Sequence, residues 1–321
     1  MCGGCGGENI PEIWGQLMKV YQLIRNVYIN TLRQNRLIHR GLYAVAQTIF
    51  FPTWEGVLAF HTHPDDPLSM RFSMLSGEYE GETVKVIKHL IKPGMIALDI
   101  GAHVGYYTRI LAKLVGISGK VIAFEPHPET FRLLIKNTVH FRNVHLLEVA
   151  AADEEAVLTL YDGQLETGLS GLRYLDEYRQ WTKQVGAEFT PRVRQGCPLR
   201  SFAVKARPVD LCLSELGVTS VHFIKMDIEG AEMKALKGMK RVIGTSPNLV
   251  MVVEFNPRLI RAFGVSPREF IGTLRSLGFH SIEAIGKTLQ LINEESDEFL
   301  QLAESLISGF SSVNLLCKRG N

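Results

Sequence analysis

Met95-Ile96-Ala97-Leu98-Asp99-Ile100-Gly101-Ala102-His103-Val104-Gly105-Tyr106-Tyr107-Thr108 is the stretch whose reading decides the fold. It opens as an apolar run of strand length, turns between two glycines four residues apart, and continues with Ile110, Leu111 and Leu114 at helical spacing. That pattern predicts a strand, a tight turn and a helix. Asp99 closes the strand with a carboxylate, and Gly101 lets backbone pass close to a ligand where a Cβ would obstruct it. A second strand, Val121-Ile122-Ala123-Phe124, ends in Glu125. An acid at that place suits the two hydroxyls of a ribose. Together the two parts predict a nucleoside-binding α/β unit.

The turn also discriminates between nucleosides. A dinucleotide site uses G-x-G-x-x-G, its pyrophosphate approaching bare backbone at a helix N-terminus. Here His103 replaces the middle glycine, and the strand ends in an acid that would repel pyrophosphate. The amino group of S-adenosylmethionine is cationic and suits the same acid, so the sequence favours a methyl donor. An NAD(P)-dependent oxidoreductase is the alternative.

Gly77-Glu78-Tyr79-Glu80, Lys92-Pro93-Gly94 and Leu98 to Thr108 resemble the FkbM-type methyltransferase family, as do Ala123-Phe124-Glu125-Pro126-His127-Pro128 and Phe223-Ile224-Lys225-Met226-Asp227-Ile228-Glu229-Gly230-Ala231-Glu232. The blocks occur in the family's order, and the resemblance runs from about Gly77 to the end of the chain. His103 departs from the asparagine usual in the family. The resemblance implies a Rossmann-like class I methyltransferase fold: α/β, a mostly parallel seven-stranded sheet flanked by helices, its final hairpin reversed. It also implies S-adenosylmethionine as cofactor and O-methylation of a hydroxyl on a sugar, glycan or natural-product small molecule. On this reading the donor-site residues are Glu80, Asp99, Gly101, Ala102, His103, Gly105, Tyr106, Tyr107, Thr108, Glu125, Pro126, Ala151 and Asp153. A non-catalytic methyltransferase-like binding module is the third reading, disfavoured by the acids at 227 and 254.

At 321 residues the chain can bury a large α/β domain plus an extension. A net charge of +2 without a basic run interleaved with aromatics argues against nucleic acid and for a small-molecule or glycan acceptor. Five scattered cysteines point to reduced thiols and a cytoplasmic protein. Cys2 and Cys5 supply only half of a zinc site, in a glycine-rich terminus that we read as chemically idle. The longest apolar stretch, 41–54, is too short to span a membrane.

In chain order, 1–52 is expected to be a tail and a helical extension. Ile10, Ile13, Leu17, Val20, Tyr21, Ile24, Val27, Tyr28 and Leu32 form one helical stripe. That stripe is expected to pack on its own domain or on a sister subunit as a homodimer. Peripheral membrane contact through its basic residues is the rival. The methyltransferase domain is assigned to 53–321. Its first piece, 53–63, alternates weakly and suggests a strand, followed by His61-Thr62-His63-Pro64-Asp65-Asp66-Pro67, which is turn chemistry rather than a metal site. A helix over 82–90 leads into strands at 95–100, 120–124 and 144–149 with helices between them. The third of these strands leads into Ala150-Ala151-Ala152-Asp153, whose small residues leave room for adenine. The alternation predicts a parallel sheet. Residues 154–206 break the rhythm and are read as an insertion for acceptor recognition. Strands at 221–226, 248–254, 279–284 and 312–317 follow, with helices at 229–242, 266–276 and 296–308.

An alcohol acceptor is a poor nucleophile until its proton is being removed, so the site needs a base or a metal. Asp227, Glu229 and Glu254 stand where the fourth and fifth strands end, and are the base candidates, with Lys225 as charge partner. A divalent metal is compatible with these acids, but the sequence does not indicate one.

Overall fold

A computed structural model describes residues 44–162, 200–309 and 311–320. The expected N-terminal helix, Cys2, Cys5 and the middle of the predicted insertion lie outside the described residues. The chain divides into two compact units: Met1–Phe60 with Leu75–Gly77, and His61–Met74 with Glu78–Asn321.

In the first unit a π-helical turn, Ala46–Phe50, runs into a helix, Phe51–Leu58. The Thr48 and Thr53 hydroxyls donate to carbonyls four residues back, 2.8 and 2.7 Å away. This corrects the strand expected over 53–63. Pro52 is the reason: in the first turn it presets φ for a helix and its missing N–H costs nothing. The helix ends at Ala59, which adopts φ 47° and donates back to Glu55 and Gly56.

In the second unit eleven strands occur among the described residues: β1 (Ile96–Ile100), β2 (Lys120–Phe124), β3 (Val144–Leu147), β4 (Ala150–Ala152), β5 (Ala156–Asp162), β6 (Arg200–Pro208), β7 (Phe223–Met226), β8 (Val250–Phe255), β9 (Phe279–Ile285), β10 (Leu289–Leu291) and β11 (Val313–Arg319). The main sheet runs β10-β9-β11-β8-β7-β1-β2-β3. β3, β2, β1, β7 and β8 are parallel, while β11 lies antiparallel between β8 and β9. This is the expected Rossmann-like sheet with its reversed hairpin, extended by one short edge strand, β10.

The parallel strands are apolar on both faces because helices cover both. Leu98, Ile224, Met226, Met251 and Val253 face one core, packed with Leu236, Val242, Phe270 and Leu274. Ala97, Val121, Phe223 and Val252 face the other, packed with Tyr107, Leu111 and Val115 of helix Tyr106–Val115 and with Val84 and Ile87 of helix Gly81–Leu90. Helix Pro267–Ser276 starts at a capping box in which the Ser266 hydroxyl accepts the Glu269 N–H.

Two expectations need correction here. The third core strand stops at Leu147. Ala150–Ala152 instead joins a separate three-stranded sheet, β4-β6-β5, whose β5 and β6 are the two ends of the predicted insertion. Gly238 makes that junction possible, since a Cβ there would lie 1.8 Å from the Ala152 carbonyl oxygen. Secondly, the helix expected over 229–242 is two short helices, Glu232–Lys237 and Lys240–Gly244. The buried Glu232 carboxylate takes the Ile228 and Gly230 N–H groups, which bends 227–231 into a loop rather than a first helical turn.

Candidate active site

The carboxyl ends of β1, β2 and β7 are knotted together by backbone. The Gly101 and Ala102 N–H groups both donate to the Phe124 carbonyl, at 3.0 and 2.9 Å, and the Asp227 N–H donates to the Ile100 carbonyl at 2.9 Å. Gly101 has φ +82°, and a Cβ there would lie 1.9 Å from the Asp227 carbonyl oxygen. Its lack of a side chain therefore lets the loop after β7 close onto the turn, a tighter demand than ligand clearance. Gly105, at φ +89°, does the same for packing: its Cβ would meet Leu134 at 2.7 Å.

Around this turn the acids are held by short contacts. Asp99 is 1% exposed and accepts the Thr108 hydroxyl at 2.5 Å. Burial pushes its carboxyl up to about 6, against the lowering pull of Thr108 and of Lys225, its register partner on β7. Glu125 takes the His103 N–H on one oxygen and the His127 N–H on the other, both at 2.8 Å. Burial raises its pKa, while His103 and the two N–H groups pull it down. His103 sits at φ 51° with Nε2 3.4 Å from Asp66. Burial alone would lower its pKa, but Asp66, Glu125 and Asp227 outweigh that and push it up to about 9.

The carboxyl ends of β7 and β8 carry a second acidic group. Lys225, 1% exposed, lies 3.2 Å from Asp227 Oδ2 and 3.2 Å from Asn314 Oδ1, with its ammonium over the Tyr107 ring. Burial would lower its pKa, yet Asp227, Glu80 and Glu254 together raise it, so the cation is held. Glu80 accepts the Tyr107 hydroxyl at 2.6 Å and the Asn314 amide at 2.7 Å. Glu254 accepts the Ser312 hydroxyl at 2.5 Å. Burial, then Asp227 and Glu229, carry its pKa well above the ordinary carboxyl value. Asp227, Glu229 and Glu254 each offer an oxygen within 4.8 Å of the others, near enough to ligate one cation between them.

Both groups open onto one cavity of about 790 Å³. Of the residues predicted from sequence, Glu80, Asp99, Gly101, Ala102, His103, Tyr106, Tyr107, Glu125, Pro126, Ala151, Lys225, Asp227, Glu229 and Glu254 line it. Thr108 stands behind Asp99, Gly105 packs on Leu134, and Asp153 is exposed away from the lining. Sequence reasoning did not single out Asn314, Ser312 or Asp66. A lone amide between the apolar Val313 and Leu315 of a strand was the available signal for Asn314, whereas Asp66 was hidden inside turn chemistry.

A sheet of this order, with strand-end acids converging on a cavity at its carboxyl edge, defines a Rossmann-like nucleoside-binding domain of the methyltransferase class. The family described as "Methyltransferase FkbM domain" matches residues 99–281, more than half of the sequence, and the chain belongs to that family. A second family, protein-L-isoaspartate(D-aspartate) O-methyltransferase, matches residues 20–156. Among curated relatives, the 2-O-methyltransferase NoeI of Sinorhizobium fredii is 28% identical over 50% of this chain and 63% of its own length. The 31-O-demethyl-FK506 methyltransferase FkbM of Streptomyces tacrolimicus is 26% identical over 47% and 61%. A protein-L-isoaspartate O-methyltransferase of Triticum aestivum is 28% identical over 44% and 60%. The chain thus spans less than two thirds of the length of these relatives. Among the described residues no helix is long and apolar enough to cross a membrane.

Proposed function

We propose that this chain transfers a methyl group from S-adenosylmethionine to a hydroxyl oxygen of a sugar, glycan or natural-product small molecule. The observation that carries the reading is the triad of carboxylates, Asp227, Glu229 and Glu254, facing the same cavity as Asp99 and Glu125. When bound, the donor supplies a methyl carbon already activated by its sulfonium charge. Asp99 and Glu125 are the residues that would hold its amino group and ribose, and an acidic, hydroxyl-accepting lining of this size fits such a ligand. Positioning by these acids supplies much of the rate. Asp227 takes the proton of the acceptor hydroxyl, with Lys225 beside it as charge partner. Burial and the neighbouring Asp227 and Glu229 raise the pKa of Glu254, which eases the mutual repulsion of the three acids.

A protein carboxylate as acceptor is the reading suggested by the isoaspartyl relatives. A carboxylate needs no base, and three acids around its place would repel it. The acid cluster therefore favours a neutral hydroxyl. The test is transfer of a labelled methyl group to neutral oligosaccharides and polyketides on one side and isoaspartyl peptides on the other. We expect label that survives mild base, as a methyl ether does. Base-labile label confined to the peptides would reject the hydroxyl reading. Its scattered cysteines fit reduced thiols, and we place the enzyme in the cytoplasm.

Asp99→Ala and Glu125→Ala are each expected to weaken S-adenosylhomocysteine binding by about 1.5–3 kcal/mol, the scale of a hydrogen bond to a charged group. Titration calorimetry showing wild-type affinity in both would remove these acids from the donor site.

A further inference from the structure

We propose that Asn314 is a positioning residue of the methyl transfer: by occupying Glu80, it directs the buried Lys225 ammonium to Asp227. This rests on the reading of Asp227 as the base given above. Three acids compete for one cation. Asp227, Glu80 and Glu254 all act on Lys225 through their charge. Yet among the described residues its hydrogen bonds run to Asp227 Oδ2 and Asn314 Oδ1, each at 3.2 Å. A lysine is a point charge on a flexible four-carbon stem, so nothing in its own chemistry selects one acid over another.

The selection lies in the polarity of the amide. Asn314 Nδ2 donates to Glu80 Oε2 at 2.7 Å and to Thr83 Oγ1 at 3.2 Å, while Oδ1 accepts from Lys225. Glu80 Oε2 also takes the Tyr107 hydroxyl at 2.6 Å, so this oxygen is filled by two neutral donors rather than by the ammonium. Burial and the charge of Glu80 hold the Tyr107 phenol well above its ordinary value, and it stays a donor. An aspartate in place of Asn314 would set an acid oxygen against Glu80, and a leucine would leave both charges a partner short. The backbone at Glu80 is bent to the same end. Glu80 adopts φ 46° just before helix Gly81–Leu90, and its carboxylate makes no capping bond to that helix. An acid at that place ordinarily caps its own helix, whereas this one is turned to Tyr107 and Asn314. Asn314 is equally out of place by propensity, an amide inside β11 where asparagine is disfavoured. β8 lies between β11 and β7 in the sheet, so the amide and the lysine side chain meet across it.

The first measurement is a crystal structure of the full chain carrying Asn314→Leu. With the amide gone, Glu80 is short of a donor and the ammonium should leave Asp227 for it. An ammonium still on Asp227 overturns the proposal. The second is kcat for transfer of labelled methyl to the neutral oligosaccharide or polyketide that wild type accepts, at saturating S-adenosylmethionine so that donor affinity does not enter. Asn314→Leu is expected to lose about 10- to 100-fold, the scale of a misplaced catalytic group. Glu80→Gln removes the rival charge, so in that background Asn314→Leu should cost less than about threefold. A merely structural amide would cost the same in both backgrounds, and equal losses overturn the proposal. So does wild-type turnover of Asn314→Leu. If Asn314→Leu does not fold, Asn314→Ser is judged by the same two measurements. Absence of transfer from wild type to any hydroxyl would remove the base reading itself, whereas equal losses in the two backgrounds remove Asn314 alone.

Discussion

Asp227→Asn is expected to lower turnover by roughly 10²–10⁴-fold, the contribution of a positioned general base. The amide keeps the shape and removes the charge, and Asp99 and Glu125, which we propose hold the donor, stand at the ends of other strands, so S-adenosylhomocysteine affinity should stay within about twofold of wild type. Lys225 is fully buried and Asp227 Oδ2 is one of its two hydrogen-bonding partners. A melting curve must therefore accompany the assay, since some stability is lost with the pair. Glu254→Gln and a chelator separate the two ways the three acids could act. If they share a divalent cation, chelator silences wild type and Glu254→Gln falls with Asp227→Asn. If they hold no cation, chelator has no effect and only the base variant is impaired. Near-normal turnover of Asp227→Asn with an accepted substrate would remove Asp227 from the mechanism and turn attention to Glu80 and Glu254.

The largest loss of stability is expected at Gly101. An alanine there meets the Asp227 carbonyl oxygen at 1.9 Å and must also adopt φ +82°. The conformational part costs about 1–2 kcal/mol. The clash forces apart the ends of β1 and β7, and a total of about 4 kcal/mol or more places it among the rare severe substitutions. Gly264→Ala is the control, because its φ is also positive, at +79°, but nothing lies within 4 Å of the added Cβ. Only the conformational cost should be seen there. Denaturant unfolding in which the two variants lose the same stability would show that the contact between turn and loop is soft.

Much of this architecture was legible because the parallel strands are short apolar runs ended by acids, and each such run sits where its chemistry is needed. Asp99, Glu125, Asp227 and Glu254 stand at or just past the carboxyl ends of β1, β2, β7 and β8. What escaped the sequence was decided by pairing at long range. Ala150–Ala152 looks like the tail of β3, and only its partnership with β6 assigns it to another sheet. Glu229 looks like a helix start, but the loop is shaped by Glu232, whose carboxylate captures the N–H groups that a helix would have left open. Phe51–Leu58 was misread because weak alternation was weighed above Pro52, a local and stronger signal. For Asp66 the turn chemistry was correct, yet turn chemistry does not say which way a side chain faces.

Asn314 ties Glu80 to Lys225 across 234 and 89 residues of sequence. It belongs to β11, the last strand among the described residues, which slots between β8 and β9, both earlier in sequence. During synthesis the nucleoside turn, β7 and β8 can pair as they emerge, but the bridge between Glu80 and Lys225 waits for this late insertion. Contacts of such span are slow to form because loop closure must precede them. The bridge between Glu80 and Lys225 is therefore made only once β11 has inserted, after the turn that follows β1 has already taken shape.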